Sequence, residues 1–177
     1  MPRLFTGIEI PPSICHALDM LRGGLPGARW IDRENYHLTL RFLGDVDERD
    51  AQEAALALGQ VRRCAFHLHL EGLASFGGRK PRAVVASVAL EPALLELQAD
   101  QERLMRRIGL EPEVRKYTPH VTLARLRASS SLDVAEYLSA RGYFRTAPFK
   151  VSQFVLFSSR ASTGGGPYVV EASYPLS

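Results

Sequence analysis

Hydrophobic and polar positions along this chain change period several times, and each change marks an element. Aromatic and β-branched residues over Arg3 to Ile10 predict a strand that stops at Pro11 and Pro12. Ser13 opens a short helix to about Arg22, closed by Gly23 and Gly24. "ARWI" leads through a turn at Asp32 to Asn35 into the strand "YHLTLRFL", which Gly44 closes. Asp47 starts an alanine-rich amphipathic helix with its acidic residues first and its arginines last, as the helix dipole favours. "FHLHLEGL", residues 66–73, alternates as one strand, and the basic glycine-rich loop "FGGRKPR" separates it from the apolar strand "AVVASVAL". Pro92 occupies the first turn of a helix carrying Leu94, Leu97, Leu104 and Ile108 along one side. "HVTLARL", "FKVSQFVLFSS" and "PYVVEASY" read as further strands, with the helix "SLDVAEYLSARG" after the first and the loop "SRASTGGG" before the last.

This series divides into two similar halves near the glycine-rich loop or the strand after it, and no linker separates them. Helices and strands do not alternate strictly, so a doubly wound sheet is excluded. The pattern predicts an α+β fold over residues 1–177, a single domain of two intertwined lobes of antiparallel sheet. Composition is consistent with this: 46% hydrophobic and 23% charged residues in 177 describe a soluble globular chain, not a disordered one. There is no apolar run of about 18 residues and no signal peptide, which predicts a cytoplasmic protein without membrane association. A net charge of +3 is too small to indicate a nucleic-acid partner by itself. Cys15 and Cys64 stand alone and are expected to be buried thiols.

Two strands carry the candidate chemistry. Aligned on their histidines, HLTLRFL (from His37) and HVTLARL (from His120) share His, Thr and two Leu at identical offsets. Side chains alternate on a strand, so His37 and Thr39 share one face while Leu38 and Leu40 share the other, and likewise for His120 and Thr122. A single such pair describes any half-solvated strand; its recurrence, once per half in a chain with only five histidines, points to a site. If a pseudo-twofold axis relates the lobes, the two polar faces meet across a central cleft. Two imidazoles so placed suit general acid–base work, one neutral and one protonated near pH 7, with the threonine hydroxyls as donors to phosphate oxygens.

"RLFTGIEIPP", "WIDRENYHLTLRFLGDV", "FGGRKPRAVV", "YTPHVTLARL" and the closing "GPY" resemble, in order and spacing, the 2H phosphoesterase superfamily. The likeness is greatest to its RNA 2′,3′-cyclic phosphodiesterases of the LigT type, historically called 2′-5′ RNA ligases. The resemblance implies two pseudo-twofold-related lobes of antiparallel sheet with helices outside and a central cleft. It implies hydrolysis of a terminal 2′,3′-cyclic phosphate to a 2′-phosphate without metal or cofactor, some members running a reversible 2′-5′ ligation. His37 would then be the proton donor to O3′, His120 the base that activates water, and Thr39 and Thr122 the ligands of the non-bridging oxygens. The implied partner is an RNA or oligonucleotide end; no obligate protein partner is expected, and the chain is expected to be a monomer. Other readings are an RNA-end-binding module without catalysis, and a relative acting on another cyclic nucleotide or on ADP-ribose cyclic phosphate.

Phe42 and Arg125 each stand five residues after a motif histidine, an odd offset that directs a side chain away from the site on a regular strand. Phe42 is therefore expected to pack in the core rather than stack on a base. Arg125 is either a phosphate contact reached around the strand end or part of a surface ion pair. Tyr168 matches the closing motif and is a possible substrate contact, while Tyr36 and Tyr117 are expected to pack. Arg79, Lys80, Arg82 and Arg160 lie in glycine-rich loops that either border the cleft and meet RNA phosphates or only turn the chain, and neither loop follows the P-loop pattern. His67 and His69, with Glu71 on the same face, have metal-ligand spacing but lack further ligands, so a solvated strand face is expected; His16 is expected to be structural or exposed.

Overall fold

The computed structural model describes residues 3–159 and 167–177. In chain order its elements are β1 (Arg3–Glu9), α1 (Pro12–Asp19), β2 (Ala28–Trp30), a 3-10 turn (Arg33–Asn35), β3 (His37–Asp45), α2 (Glu48–Leu58), β4 (Phe66–Leu68) and β5 (Leu70–Phe76). They continue with β6 (Ala83–Val88), α3 (Pro92–Arg107), β7 (His120–Leu126), α4 (Ser131–Arg141), β8 (Phe149–Val151), β9 (Gln153–Ser159) and β10 (Tyr168–Pro175). Helix starts follow local chemistry. The Asp47 carboxylate accepts from the Asp50 amide at 2.7 Å and the Ser130 hydroxyl from the Asp133 amide at 3.0 Å. No helix among the described residues is long and apolar enough to cross a membrane.

The principal sheet is antiparallel in the order β10-β9-β1-β3-β7-β6-β5, with β2 also paired to β7. The α+β class and antiparallel sheet expected from the sequence are therefore present. The run β1-α1-β3-α2-β4-β5 is repeated as β6-α3-β7-α4-β8-β9. Because β5 pairs with β6 and β9 with β1, each arm of the sheet takes its outer strand from the other half of the chain. The arms meet at β3 and β7, joined in register at Leu38 and Val121.

Two strands predicted as continuous are broken. "FHLHLEGL" divides at His69 and "FKVSQFVLFSS" at Ser152; β4 and β8 pair as a separate two-stranded sheet while β5 and β9 enter opposite arms. Phe66, Leu68 and Leu70 all remain buried, so the first break leaves the alternation undisturbed.

One hydrophobic core lies between the sheet and the helices. It includes Leu38, Leu40, Val121 and Leu123 from the motif strands and Leu94, Leu97 and Met105 from α3. Full burial of each such side chain contributes on the order of 1.5–3 kcal/mol. A second, small cluster of Phe5, Val155 and Phe157 forms separately, with Tyr168 packed against it.

Both motif strands carry a β-bulge at the same place. Pairing passes from Thr6↔Arg41 to Gly7↔Thr39, leaving Leu40 as the extra residue; in the other arm it passes from Val84↔Ala124 to Val85↔Thr122, leaving Leu123. Leu40 and Arg41 are consequently both buried, as are Leu123 and Ala124, and the residues that follow, Phe42 and Arg125, turn to the opposite face. Arg41, 4% exposed, is held there by charge-assisted contacts: its Nε donates to Glu102 Oε2 at 2.6 Å and its Nη1 to the Phe42 carbonyl at 2.6 Å. Nη2 donates to the Glu111 carbonyl. This network ties the bulge of β3 to α3 in the other half of the chain.

Candidate active site

The Leu38–Val121 pairing fixes the neighbours on the other face of the sheet. His37 lies across from Thr122, and His120 across from Thr39. The two imidazoles are thus diagonal neighbours at the centre of the sheet, a relation that separates side-chain origins by roughly 7–8 Å. A tetrahedral phosphate fits between groups so spaced. The four motif residues predicted from the repeat are brought together.

Each histidine is oriented in the same way. Nδ1 of His37 contacts the Asn35 carbonyl at 2.9 Å, and Nδ1 of His120 contacts the Thr118 carbonyl at 2.7 Å. A carbonyl only accepts, so each Nδ1 carries the proton and each Nε2 is left to exchange one with a ligand. Tyr117 fixes the backbone between the motifs: its hydroxyl donates to the Thr39 carbonyl at 2.7 Å, across the β3–β7 seam. Burial raises the Tyr117 pKa, which keeps that hydroxyl protonated as a donor. Tyr36, 5% exposed, packs in the core as expected and donates to Asp19.

Burial makes both imidazoles weaker bases. It lowers the His37 pKa to about 4 against the opposing effect of the Asn35 carbonyl, with the positive charges of His120 and Arg125 adding to the decrease. His120 is lowered by burial too, opposed by the Thr118 carbonyl and aided by Arg125. In the ligand-free protein burial therefore opposes a charge on either imidazole, because aromatic side chains replace water around them. Phe5 stands 4.9 Å from His37, Tyr168 4.9 Å edge-on and Phe157 5.7 Å, while Phe76 meets His120 edge-on at 4.8 Å. Gly7 permits this closeness, since a Cβ there would stand 2.8 Å from the Leu38 carbonyl oxygen and 3.1 Å from the Phe157 ring.

The bulges reverse the expectation from odd offsets. Phe42 is 49% exposed rather than packed in the core, and its ring stacks beside Phe5 at 6.5 Å. Arg125 lies on the face of the histidines, and its positive charge disfavours protonation of both and opposes the burial-driven rise in the Tyr168 pKa. Phe42, Arg125 and Tyr168 therefore join the motif residues. Phe5, Phe76 and Phe157 were not singled out from the sequence, although Phe5 and Phe76 stand in the segments "RLFTGIEIPP" and "FGGRKPRAVV".

A cavity of about 230 Å³ opens beside His37, lined in part by Glu9, Asn35, Phe157 and Tyr168. A larger cavity of about 530 Å³ around Arg62, Cys64 and Tyr174 includes none of the residues predicted for the site. His67 is exposed and His69 is 3.9 Å from Glu71; among the described residues no three His, Cys, Asp or Glu side chains gather as metal ligands. Cys15 is buried, but Cys64, expected to be buried, is exposed in the irregular segment before β4. Arg79, Lys80 and Arg82 are exposed at the β5–β6 hairpin, and Arg160 lies outside the described residues.

Fold and site together define a two-histidine phosphoesterase architecture. The chain belongs to the 2′-5′ RNA ligase superfamily, whose family model matches residues 10–163. It is 32% identical over 148 residues to an RNA 2′,3′-cyclic phosphodiesterase of Aeropyrum pernix, covering 82% of this chain and 84% of that one. An RNA 2′,3′-cyclic phosphodiesterase of Aquifex aeolicus is 31% identical over 84% of this chain and 81% of its own. Among solved structures, E. coli LigT complexed with 3′-AMP superposes with a TM-score of 0.81 at 26% identity, covering 100% of this chain and 99% of that chain.

Proposed function

We propose that the protein hydrolyses the 2′,3′-cyclic phosphate at an RNA end to a 2′-phosphate, without metal or cofactor, as a monomer in the cytoplasm. The observation that carries this reading is the pair of diagonal imidazoles, each with Nδ1 tied to a backbone carbonyl, which leaves Nε2 as the atom that meets a ligand. The cyclic phosphate lies between them, its non-bridging oxygens accepting from the Thr39 and Thr122 hydroxyls and from Arg125. Neutral His120 Nε2 takes a proton from water as the water oxygen bonds to phosphorus. The P–O3′ bond breaks, and protonated His37 Nε2 donates to O3′, so the phosphate remains on O2′. With a 5′-hydroxyl in place of water, the same proton transfers give a 2′-5′ linkage, and the histidines exchange roles in reverse. Phe42 and Tyr168 border the terminal nucleoside.

His37 is neutral before substrate arrives, so its proton is taken up with the anionic phosphate, which favours the charged form of a nearby imidazole. The sign follows. Activity falls at high pH as the acid loses its proton and at low pH as the base gains one, giving a bell. For kcat/KM, which reports the free protein, both limbs are displaced below the ordinary imidazole value of about 6.5. For kcat, which reports the complex, the profile moves to higher pH. Steady-state kinetics on a 2′,3′-cyclic mononucleotide after dialysis against a chelator check this. Full turnover with displaced bells is expected; loss of turnover on chelation, or coincident profiles, would overturn the mechanism.

A further inference from the structure

One row of the sheet next to the motif block is unlike the rest. Phe76 pairs with Ala83, Ala83 with Arg125, and Arg125 with Arg29 on β2. Directly paired residues project to one face, so all four side chains lie on the face of the histidines. Arg29 and Arg125 are like charges directly opposed on adjacent strands, an arrangement that destabilises a sheet unless an anion joins them. Arg29 is exposed and makes no ion pair or side-chain hydrogen bond among the described residues. This contrasts with Arg3, Arg41 and Arg63, which are matched by Asp45, Glu102 and Asp100.

The same end of the sheet carries the β5–β6 hairpin, whose shape is fixed. Gly77 has φ 106°, and a Cβ there would overlap the Lys80 carbonyl oxygen. The Arg82 amide donates to the Phe76 carbonyl at 2.8 Å. This turn holds Arg79 and Lys80 exposed just beyond the row, and neither has an ionic partner among the described residues. A mononucleotide occupying the histidine block leaves all three cations unused.

Building on the phosphodiesterase reading above, we infer that Arg29 binds the internucleotide phosphate next to the terminal one, with Arg79 and Lys80 continuing the path. The substrate is then a single-stranded oligonucleotide end in preference to a free cyclic mononucleotide. Arg125 and Arg29 stand about one strand spacing apart, roughly 4.8 Å between strands, and serve two successive phosphates of one chain. The contact is electrostatic and independent of base identity.

Fluorescence anisotropy tests this with a trinucleotide ending in a 2′-phosphate, and competition with a nucleoside 2′-monophosphate, over a salt series. The trinucleotide should bind the wild-type protein about tenfold more tightly than the monophosphate, the gain of one charge-assisted contact. R29A should lose most of that advantage, keep its monophosphate affinity, and reduce the slope of log affinity on log salt by about 0.7, the value for one single-strand phosphate. R29K should restore most of the trinucleotide affinity. Equal weakening of both ligands, or an unchanged trinucleotide affinity in R29A, would overturn the inference. Hydrolysis of a trinucleotide ending in a 2′,3′-cyclic phosphate by the wild-type protein is a separate measurement: its absence removes the hydrolytic reading, while Arg29-dependent binding of the trinucleotide stands or falls independently.

Discussion

Replacing His37 or His120 by alanine is expected to slow hydrolysis of a 2′,3′-cyclic phosphate by about two to four orders of magnitude, the loss typical of a missing general acid or base. Both side chains lie on the cleft face and are only partly buried, while Leu38 and Val121 between them and the helices hold the core. The variants should therefore fold with unchanged near-ultraviolet circular dichroism. The residual pH profiles then separate the roles. H37A should lose the decline at high pH, because that decline reports the acid, and H120A the decline at low pH. The double variant should be little slower than the poorer single one, since two groups acting on one transition state are not additive. A variant retaining activity within tenfold of wild type would remove that histidine from the mechanism.

The largest effect on stability is expected at Glu102. Its carboxylate pairs with Arg41 and Arg106 and accepts the Glu113 amide at 3.0 Å. Burial raises its pKa, but the hydrogen bonds from Arg106, Arg41 and Glu113 outweigh this, and the net shift is downward. A lowered carboxylate stabilises the fold above its unfolded value near 4.3 and loses that contribution as pH falls through the folded value. E102A leaves the nearly inaccessible Arg41 guanidinium without its counter-ion, at a cost of about 3–5 kcal/mol in urea denaturation. That is a large part of the roughly 5–15 kcal/mol typical of a domain. A loss below about 1 kcal/mol, the range of surface pairs, would show that the Arg41 network is not what secures the β3 bulge.

The pairing of the motif histidines was legible because strand alternation alone places His and Thr on one face, whatever the tertiary context. The α+β class was legible for a similar reason, since helix and strand periods differ locally. The bulges were not. Leu38, Leu40 and Phe42 continue a regular alternation in the sequence, and the bulge that breaks it leaves Arg41 buried beside a partner, Glu102, that lies 61 residues away. Phe42 and Arg125 were consequently expected to face away from the histidines. Strand ends differ in the same way. Ser152 and Gln153, two successive polar residues, mark the break between β8 and β9, whereas nothing around His69 disturbs the pattern. The depressed basicity of the two imidazoles depends on Phe5, Phe76, Phe157 and Tyr168, which reach the site from four other strands.

An RNA oligonucleotide ending in a 2′,3′-cyclic phosphate, incubated with the protein and resolved by its terminal chemistry, tests the shared role of the two Nε2 atoms most directly. A 2′-phosphate end is expected, because the O3′ bond is the one His37 protonates. A 3′-phosphate, or an RNA bound tightly with its cyclic end intact, would contradict it.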